Sequence, residues 1–383
     1  MKFTKTIDVE DFQSAELKPY LQAIADEEMA FFGIENPGIT CDSKNWETAM
    51  ALRAFGENDL LKEGKLFAGI GAGIERLTEL LASRGALVFP TDRYLEPTFR
   101  SDAAPSGYMI SPKSFSSFCS HPKNIIPVHS DPRSLNLPSN LFDGVYSLGS
   151  IEHFGSLDAV EAASHEIARI LKPGGIASIS TEFFLEGPAG RSSFDENCIL
   201  FTPEMIEKHI IRSSGLESLG TPNNRPSAQT FGTRRVLTDF LKSSKSAKTF
   251  LDKVDAYPNL VLYHDGFLFC SVHILLKKPL DWKPVAVSEA KVSLFSKEIE
   301  TRNQSAIIKL QNGLSNPNAT LLSNKTSETK LPQKTLLFHL LSEVNELLKR
   351  MPKLRYFIMR LLFLSPGLAA FLRRKLKTFG IVP

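Results

Sequence analysis

Residues 66–77 read Leu66-Phe67-Ala68-Gly69-Ile70-Gly71-Ala72-Gly73-Ile74-Glu75-Arg76-Leu77. An apolar run enters three alternating glycines, and an amphipathic run leaves them. The pattern predicts a strand, a tight loop and a helix. Glycine without a Cβ lets the chain turn sharply and brings the main chain close to a ligand. The unsatisfied N–H groups of the following helix turn then favour a polar or anionic group. The loop therefore predicts a nucleotide-like ligand.

The same rhythm continues outward. Residues 65–68 predict a short strand, 74–83 a helix, and 86–90 a second strand ending at Thr91-Asp92. Residues 93–124 are irregular, and 125–129 predict a third strand. A fourth strand, 142–148, follows the turn Pro138-Ser139-Asn140. Then come a helix over 157–170, the breaker Lys172-Pro173-Gly174-Gly175, a fifth strand over 176–181 and a loop over 182–202. Thr202-Pro203-Glu204 carries helix-start chemistry, with a capping hydroxyl, proline in the first turn and an acid at the dipole. Residues 260–264 and 266–277 flank Asp265-Gly266, a hairpin turn. Strands alternating with helices of this length predict an α/β, doubly wound, mostly parallel sheet.

Three segments flank this body. Residues 1–60 read as an N-terminal helical cap, with Leu17, Leu21 and Ile24 on one face and Pro37-Gly38 as a break. Residues 61–282 form the main domain. Residues 283–334, rich in Asn, Ser, Thr and Lys, read as a polar linker. Residues 335–383 read as a basic amphipathic helical tail, with an apolar stripe from Leu336 to Leu348 and then seven cations and no acid from Met351 to Pro383. Residues 351–380 suit the headgroup region of an anionic membrane surface, and the stripe suits a partner helix or a second copy in a homodimer; the third reading is a helical extension packed on the main domain with its cations solvated.

Composition narrows the classes. The chain has 383 residues, 42% hydrophobic and 23% charged, with a net charge of +3. That balance argues for a globular core and against general nucleic-acid binding. The four cysteines, Cys41, Cys119, Cys198 and Cys270, are scattered and form no CxxC pair. They support neither a disulfide framework nor a zinc site. His129, His165 and His209 are not spaced as ligands, so no metal is expected. The N-terminal residues lack the apolar core of a signal peptide, and no stretch suits a membrane span, so a cytoplasmic protein is expected. The triplets starting at Asn303, Asn318 and Asn324 match the glycosylation pattern only by chance in that setting.

The order of motifs is informative. After the glycine loop come Asp92 past the second strand, Asp131 and Arg133 past the third, Phe142-Asp143-Gly144-Val145 in the fourth, and Arg169 to Gly175 before the fifth. This set resembles the class I S-adenosylmethionine-dependent methyltransferases, of the methyltransferase type 11-like kind, over about residues 60–280. The resemblance implies a Rossmann-like, seven-stranded sheet with an antiparallel last strand, and S-adenosylmethionine as cofactor. It implies that Gly69, Gly71 and Gly73 face the methionine and ribose, that Asp92 holds the ribose, and that Asp131 and Arg133 border adenine. The family usually carries an acid at the position of Ala68, contacting the methionine end, so that contact is missing here. A nicotinamide dehydrogenase fits less well, because the Gly-x-Gly-x-x-Gly rhythm is absent.

The acceptor side follows the fourth and fifth strands. Methyl transfer needs in-line alignment and, for a hydroxyl acceptor, removal of a proton. Glu152-His153, the candidate catalytic residues, occupy the segment where such methyltransferases line the pocket; His153 suits a general base, and Ser150 before them is a candidate cofactor contact. Glu182, Phe183 and Arg191 are candidates to bind a hydroxyl-rich or anionic acceptor. The general character of the chain resembles bacterial enzymes of surface-polysaccharide synthesis. That implies a sugar or other small hydroxylated acceptor and a place at the inner face of the cell membrane. The alternative is a non-catalytic methyltransferase-fold scaffold that recruits partners through its tail.

Overall fold

A computed structural model describes residues 1–305, apart from 33–38, 97–102, 116–120, 194–196, 221–224, 238, 240–257 and 286–294. Met1–Lys309 form one compact unit. The tail over 335–383 and most of the expected linker lie outside the described residues.

In chain order the strands are β1 (Lys5–Thr6), β2 (Leu66–Ile70), β3 (Leu87–Asp92), β4 (Val128–His129), β5 (Phe142–Leu148), β6 (Leu171–Glu186), β7 (Glu217–Ser218), β8 (Arg234–Val236), β9 (Val261–His264) and β10 (Phe267–Lys277). The helices include α1 (Lys18–Phe32), α2 (Ser43–Glu57), α3 (Arg76–Ser83), α4 (Pro112–Phe115), α5 (Leu157–Ile170) and α6 (Pro203–Ile206). The strands form one sheet in the order β4-β3-β2-β5-β6-β10-β9-β8, with β1 and β7 also paired to β10. From β4 to β6 the pairing is parallel. β10 runs antiparallel to β6. Strand order reverses between β2 and β5, so a crevice opens at their carboxyl ends, the usual binding place in such sheets.

Two expectations need correcting. The sheet has ten strands among the described residues rather than seven. The three additions, β1, β7 and β8, are two or three residues long and carry no alternating pattern to read. Their partners β10 and β9 supply the ladder. The fifth strand also does not stop at residue 181. β6 runs to Glu186, because β10 pairs with it from Ile176 through Glu186. Its first residue pairs with Phe142, and the register then shifts before Gly144 pairs with Ile176, so Lys172-Pro173-Gly174-Gly175 lie at the irregularity.

α2 explains why the N-terminal residues pack on the sheet. Trp46, Ala49, Met50, Leu52 and Phe55 are wholly buried. Phe55 meets Phe67 of β2 edge to face, with ring centroids 4.9 Å apart. A Cβ on Gly144 would lie 2.4 Å from the Phe67 ring, so only glycine lets β5 pass beneath it. Trp46 is a core residue whose indole N–H donates to Asp11 at 2.8 Å. Asp143 joins three strands: it accepts the Leu66 N–H at 3.0 Å, the Lys172 ammonium at 3.0 Å and the Lys65 ammonium at 3.5 Å.

Candidate functional site

β2 ends at Ile70, and the glycine loop turns at its carboxyl end. Gly71 and Gly73 have φ of +63° and +47°, which L side chains rarely adopt. Their surroundings also exclude a Cβ. It would lie 2.9 Å from the Ser150 Cβ at Gly71, and 2.4 Å from the Ala103 carbonyl oxygen at Gly73. Ser150 donates its hydroxyl to the Gly71 carbonyl at 2.6 Å, which ties the loop after β5 to the glycine loop. Gly69 differs: it is buried, and its Cβ would lie 2.5 Å from the Tyr146 ring and hydroxyl. Ala68 is wholly buried within β2.

Asp92 closes the loop from the next strand. Its Oδ2 accepts the Gly73 N–H at 2.9 Å, and its Oδ1 accepts the Arg93 N–H at 2.6 Å. Burial raises its pKa, and the two backbone donors oppose that rise. A carboxylate has about four lone-pair sites. Two remain for a pair of ligand hydroxyls, so Asp92 fits a ribose diol.

Asp131 and Arg133 sit after β4 as expected, but their state differs. The Asp131 carboxylate takes the Arg133 backbone N–H and side-chain Nε at 2.9 Å and Nη2 at 2.8 Å, and then the Arg302 guanidinium at 3.3 Å. Burial alone would raise its pKa, but the Arg133 hydrogen bonds and charge outweigh this and hold it low. Four donors leave Asp131 no ready site for an adenine amine. Arg133 also donates to Glu298 at 2.9 Å and stacks over the Phe295 ring at 4.9 Å. These last partners lie on a helix over 295–305, within the stretch expected to be a linker. The correction has a physical cause: Glu298 and Arg302 are four residues apart, share one helix face and meet a complementary ion pair.

On the other side of the crevice, Glu152 is buried and accepts the Thr181 hydroxyl at 2.9 Å. The His153 Nδ1 lies against the Asn197 carbonyl. A carbonyl only accepts, so Nδ1 carries the proton and Nε2 is the basic nitrogen. Glu152 Oε1 lies 4.0 Å from that Nε2. Glu182 is partly exposed on β6, whereas Phe183 is buried in the core and bridges to Phe201. Arg191 is exposed, with its guanidinium 5.4 Å above the Phe267 ring.

Two charged residues at the crevice escaped the sequence reading. Lys44 at the start of α2 pairs with Glu47 at 2.9 Å and donates to the Leu148 carbonyl at 3.4 Å. Glu75 precedes α3, and its side chain makes no capping bond. Burial lifts the Glu75 pKa to about 7, against the lowering charge of Lys44. No motif marks either residue. The available signal was Glu75 itself, a carboxyl two residues beyond the last loop glycine. Elsewhere, a cavity of about 220 Å³ lined by Thr4, Pro203, Ile206, Glu207, Ile211, Val272 and Ile274 includes no glycine-loop residue. No group of residues that could hold a metal ion occurs among the described residues.

Residues 68–179 match a family model described as a methyltransferase domain. A search of curated proteins finds no match. Among solved structures, the chain is similar to a candidate sarcosine dimethylglycine methyltransferase from Galdieria sulphuraria, at 13% identity and a TM-score of 0.42, covering 70% of this chain and 99% of that one. It is similar to the [4+2]-cyclase SpnF at 16% identity and a TM-score of 0.42, covering 69% and 96%. It is also similar to Haemonchus contortus phosphoethanolamine N-methyltransferase 2 in complex with S-adenosyl-L-methionine, at 20% identity and a TM-score of 0.41, covering 72% and 60%. These likenesses concern the fold. The matched residues run from β2 into β6, so the methyltransferase-domain match covers the glycine loop and the parallel part of the sheet.

Proposed function

We propose that the protein is an S-adenosylmethionine-dependent methyltransferase that methylates a hydroxyl of a sugar or other small hydroxylated acceptor in glycan biosynthesis. The observation that carries the reading is the His153 tautomer. Its Nδ1–H faces the Asn197 carbonyl, so the ring lone pair that accepts a hydroxyl proton is the one on Nε2. An amine acceptor has a lone pair at neutral pH once deprotonated, whereas a sugar hydroxyl needs a base at the moment of transfer.

Bound in the crevice, S-adenosylmethionine supplies an electrophilic methyl on a sulfonium leaving group. The chain's own residues do the rest. Gly71 and Gly73 allow close main-chain approach, Asp92 offers two free lone-pair sites to the ribose, and Ser150 fixes the loop opposite. Gly69 backs the loop from within β2. Asp131 and Arg133 border the adenine end. His153 holds the acceptor proton, and the Glu152 carboxylate stabilises the imidazolium that results. Glu182 and Arg191, on and beyond β6, offer an acid and a cation to a polar acceptor, with Phe183 supporting them from the core.

We assign the enzyme to the cytoplasm, with residues 351–380 at the inner face of the membrane, where lipid-linked glycans are built. Support for that stretch is its charge, since seven cations stand there without an acid. No helix among the described residues is long and apolar enough to cross a membrane. A homodimer through the leucine stripe belongs to the same proposal.

The test is methyl transfer to matched glycoside, amine and carboxylate acceptors, with S-adenosylhomocysteine as the readout. Turnover with the glycoside, lost by about a hundredfold in His153→Gln at unchanged cofactor affinity, supports the reading. Turnover confined to amines or carboxylates overturns it.

A further inference from the structure

We propose that Lys44 and Glu75 form a clamp for the zwitterionic amino-acid end of S-adenosylmethionine, in place of the acid that β2 lacks. The proposal rests on the cofactor cleft described above.

β2 does not carry the acid itself. Ala68 is buried within the sheet, and the space a Gly69 side chain would need is filled by Tyr146. The Tyr146 hydroxyl lies 2.5 Å from the Thr78 hydroxyl of α3, so the phenol is fixed there. The cofactor's α-ammonium must therefore find its carboxylate elsewhere along the loop.

Arg76 donates to the Asn45 side chain at 2.9 Å, which stitches the start of α3 to the start of α2. Lys44 and Glu75 immediately precede these two residues, so both stand at the mouth between the helices. A Cβ on Gly149 would lie 2.1 Å from Lys44 Nζ, so the ammonium sits over the loop that follows β5. Ser150, the next residue, touches the glycine loop. The pair thus borders the carboxyl ends of β2 and β5.

Among the described residues, the fold makes no hydrogen bond to the Glu75 carboxylate, capping bonds included. Glu47 from α2 and Asp92 from β3 repel its charge, while Lys44 from α2 and Arg76 from α3 favour it. The phenols of Tyr94 and Tyr146 lie in the same field. A desolvated carboxyl with no partner is costly unless a cation comes to it. Lys44 complements it: the Lys44 side chain is 54% exposed, and one carboxylate contact leaves it donors for a ligand carboxylate. Acid and base side by side match an ammonium and a carboxylate on one carbon.

The proposal makes a proton inventory. Near neutrality part of the Glu75 population is a neutral acid. An arriving ammonium favours the carboxylate, so the O–H bond breaks and the proton leaves to buffer.

The experiment is calorimetry on the full chain with two ligands. S-adenosylhomocysteine has the amino-acid end, and 5′-methylthioadenosine lacks it. Glu75→Gln and Lys44→Met are each expected to weaken S-adenosylhomocysteine about tenfold or more and to leave 5′-methylthioadenosine within about twofold. Wild type should release protons on binding S-adenosylhomocysteine at pH 7, seen as a buffer-dependent heat, and Glu75→Gln should not. Retained 5′-methylthioadenosine binding shows that the variants are folded. Equal losses for both ligands, or no loss for either, overturn the clamp. A wild-type chain that binds neither ligand overturns the cleft assignment itself, and the clamp with it.

Discussion

The Gly73 amide donates to Asp92 Oδ2 across 2.9 Å, so the last glycine of the loop is fastened to the end of the neighbouring strand. The bond shapes the loop and leaves the carboxylate's outer lone pairs for a ligand. Asp92→Asn replaces one acceptor with a donor and removes the charge. It is expected to weaken S-adenosylhomocysteine by about ten- to a hundredfold, with a melting temperature only a few degrees lower. Calorimetry and thermal melting check this, and equal affinity would remove Asp92 from the cofactor site.

Asp131 and Arg302 give a second prediction. Arg302 contributes one of four donors on the Asp131 carboxylate, at 3.3 Å. Arg302→Gln together with Glu298→Gln should undock the 295–305 helix and return a lone pair to Asp131. Affinity for S-adenosylhomocysteine is expected to rise about fivefold, the worth of one hydrogen bond. A fall in affinity would show instead that the helix forms part of the adenine wall.

Asp143 joins the starts of β2, β5 and β6 through Leu66, Lys65 and Lys172. Burial alone would raise its pKa, but these partners outweigh it and hold the carboxyl below its usual range. A depressed folded pKa stabilises above the unfolded value and loses that stabilisation as pH falls through the folded value. Asp143→Ala is expected to cost about 2 kcal/mol at pH 7, and less below pH 4, by urea unfolding.

Glu79 has the opposite sign. It is 3% exposed, its Oε2 has no hydrogen-bond partner among the described residues, and burial with the Glu27 charge raises its pKa to about 8. Between the ordinary glutamate value and about 8 the unfolded chain ionises first, so stability falls as pH rises through that window. Glu79→Gln is expected to raise the melting temperature by a few degrees at pH 9 and to change it little at pH 4.

Much of the central domain was legible because its determinants are local. The glycines of the loop, the breaker after α5 and the Thr202 cap each follow from backbone conformation or nearby hydrogen bonds. The observed spans of β5 and α5 coincide with the expected ones. The ends of β6 and the short strands β1, β7 and β8 were not legible, since a strand's length depends on its partner. In the site, Asp92 lies where the motif order puts it. The saturation of Asp131 was hidden because two of its partners' anchors, Glu298 and Arg302, come from more than 160 residues away.

By itself, then, the sequence determined the alternating order of strands and helices, the glycine turn and the chemistry on offer at each strand end. These depend on contacts a few residues apart. Only the tertiary structure decided which of those groups are available. Tyr146 excludes a side chain at Gly69, Arg133 and Arg302 occupy Asp131, and α2 and α3 bring Lys44 to the mouth that Glu75 borders. Availability is a property of packing, because a charged group keeps its lone pairs only where no other part of the chain has reached them.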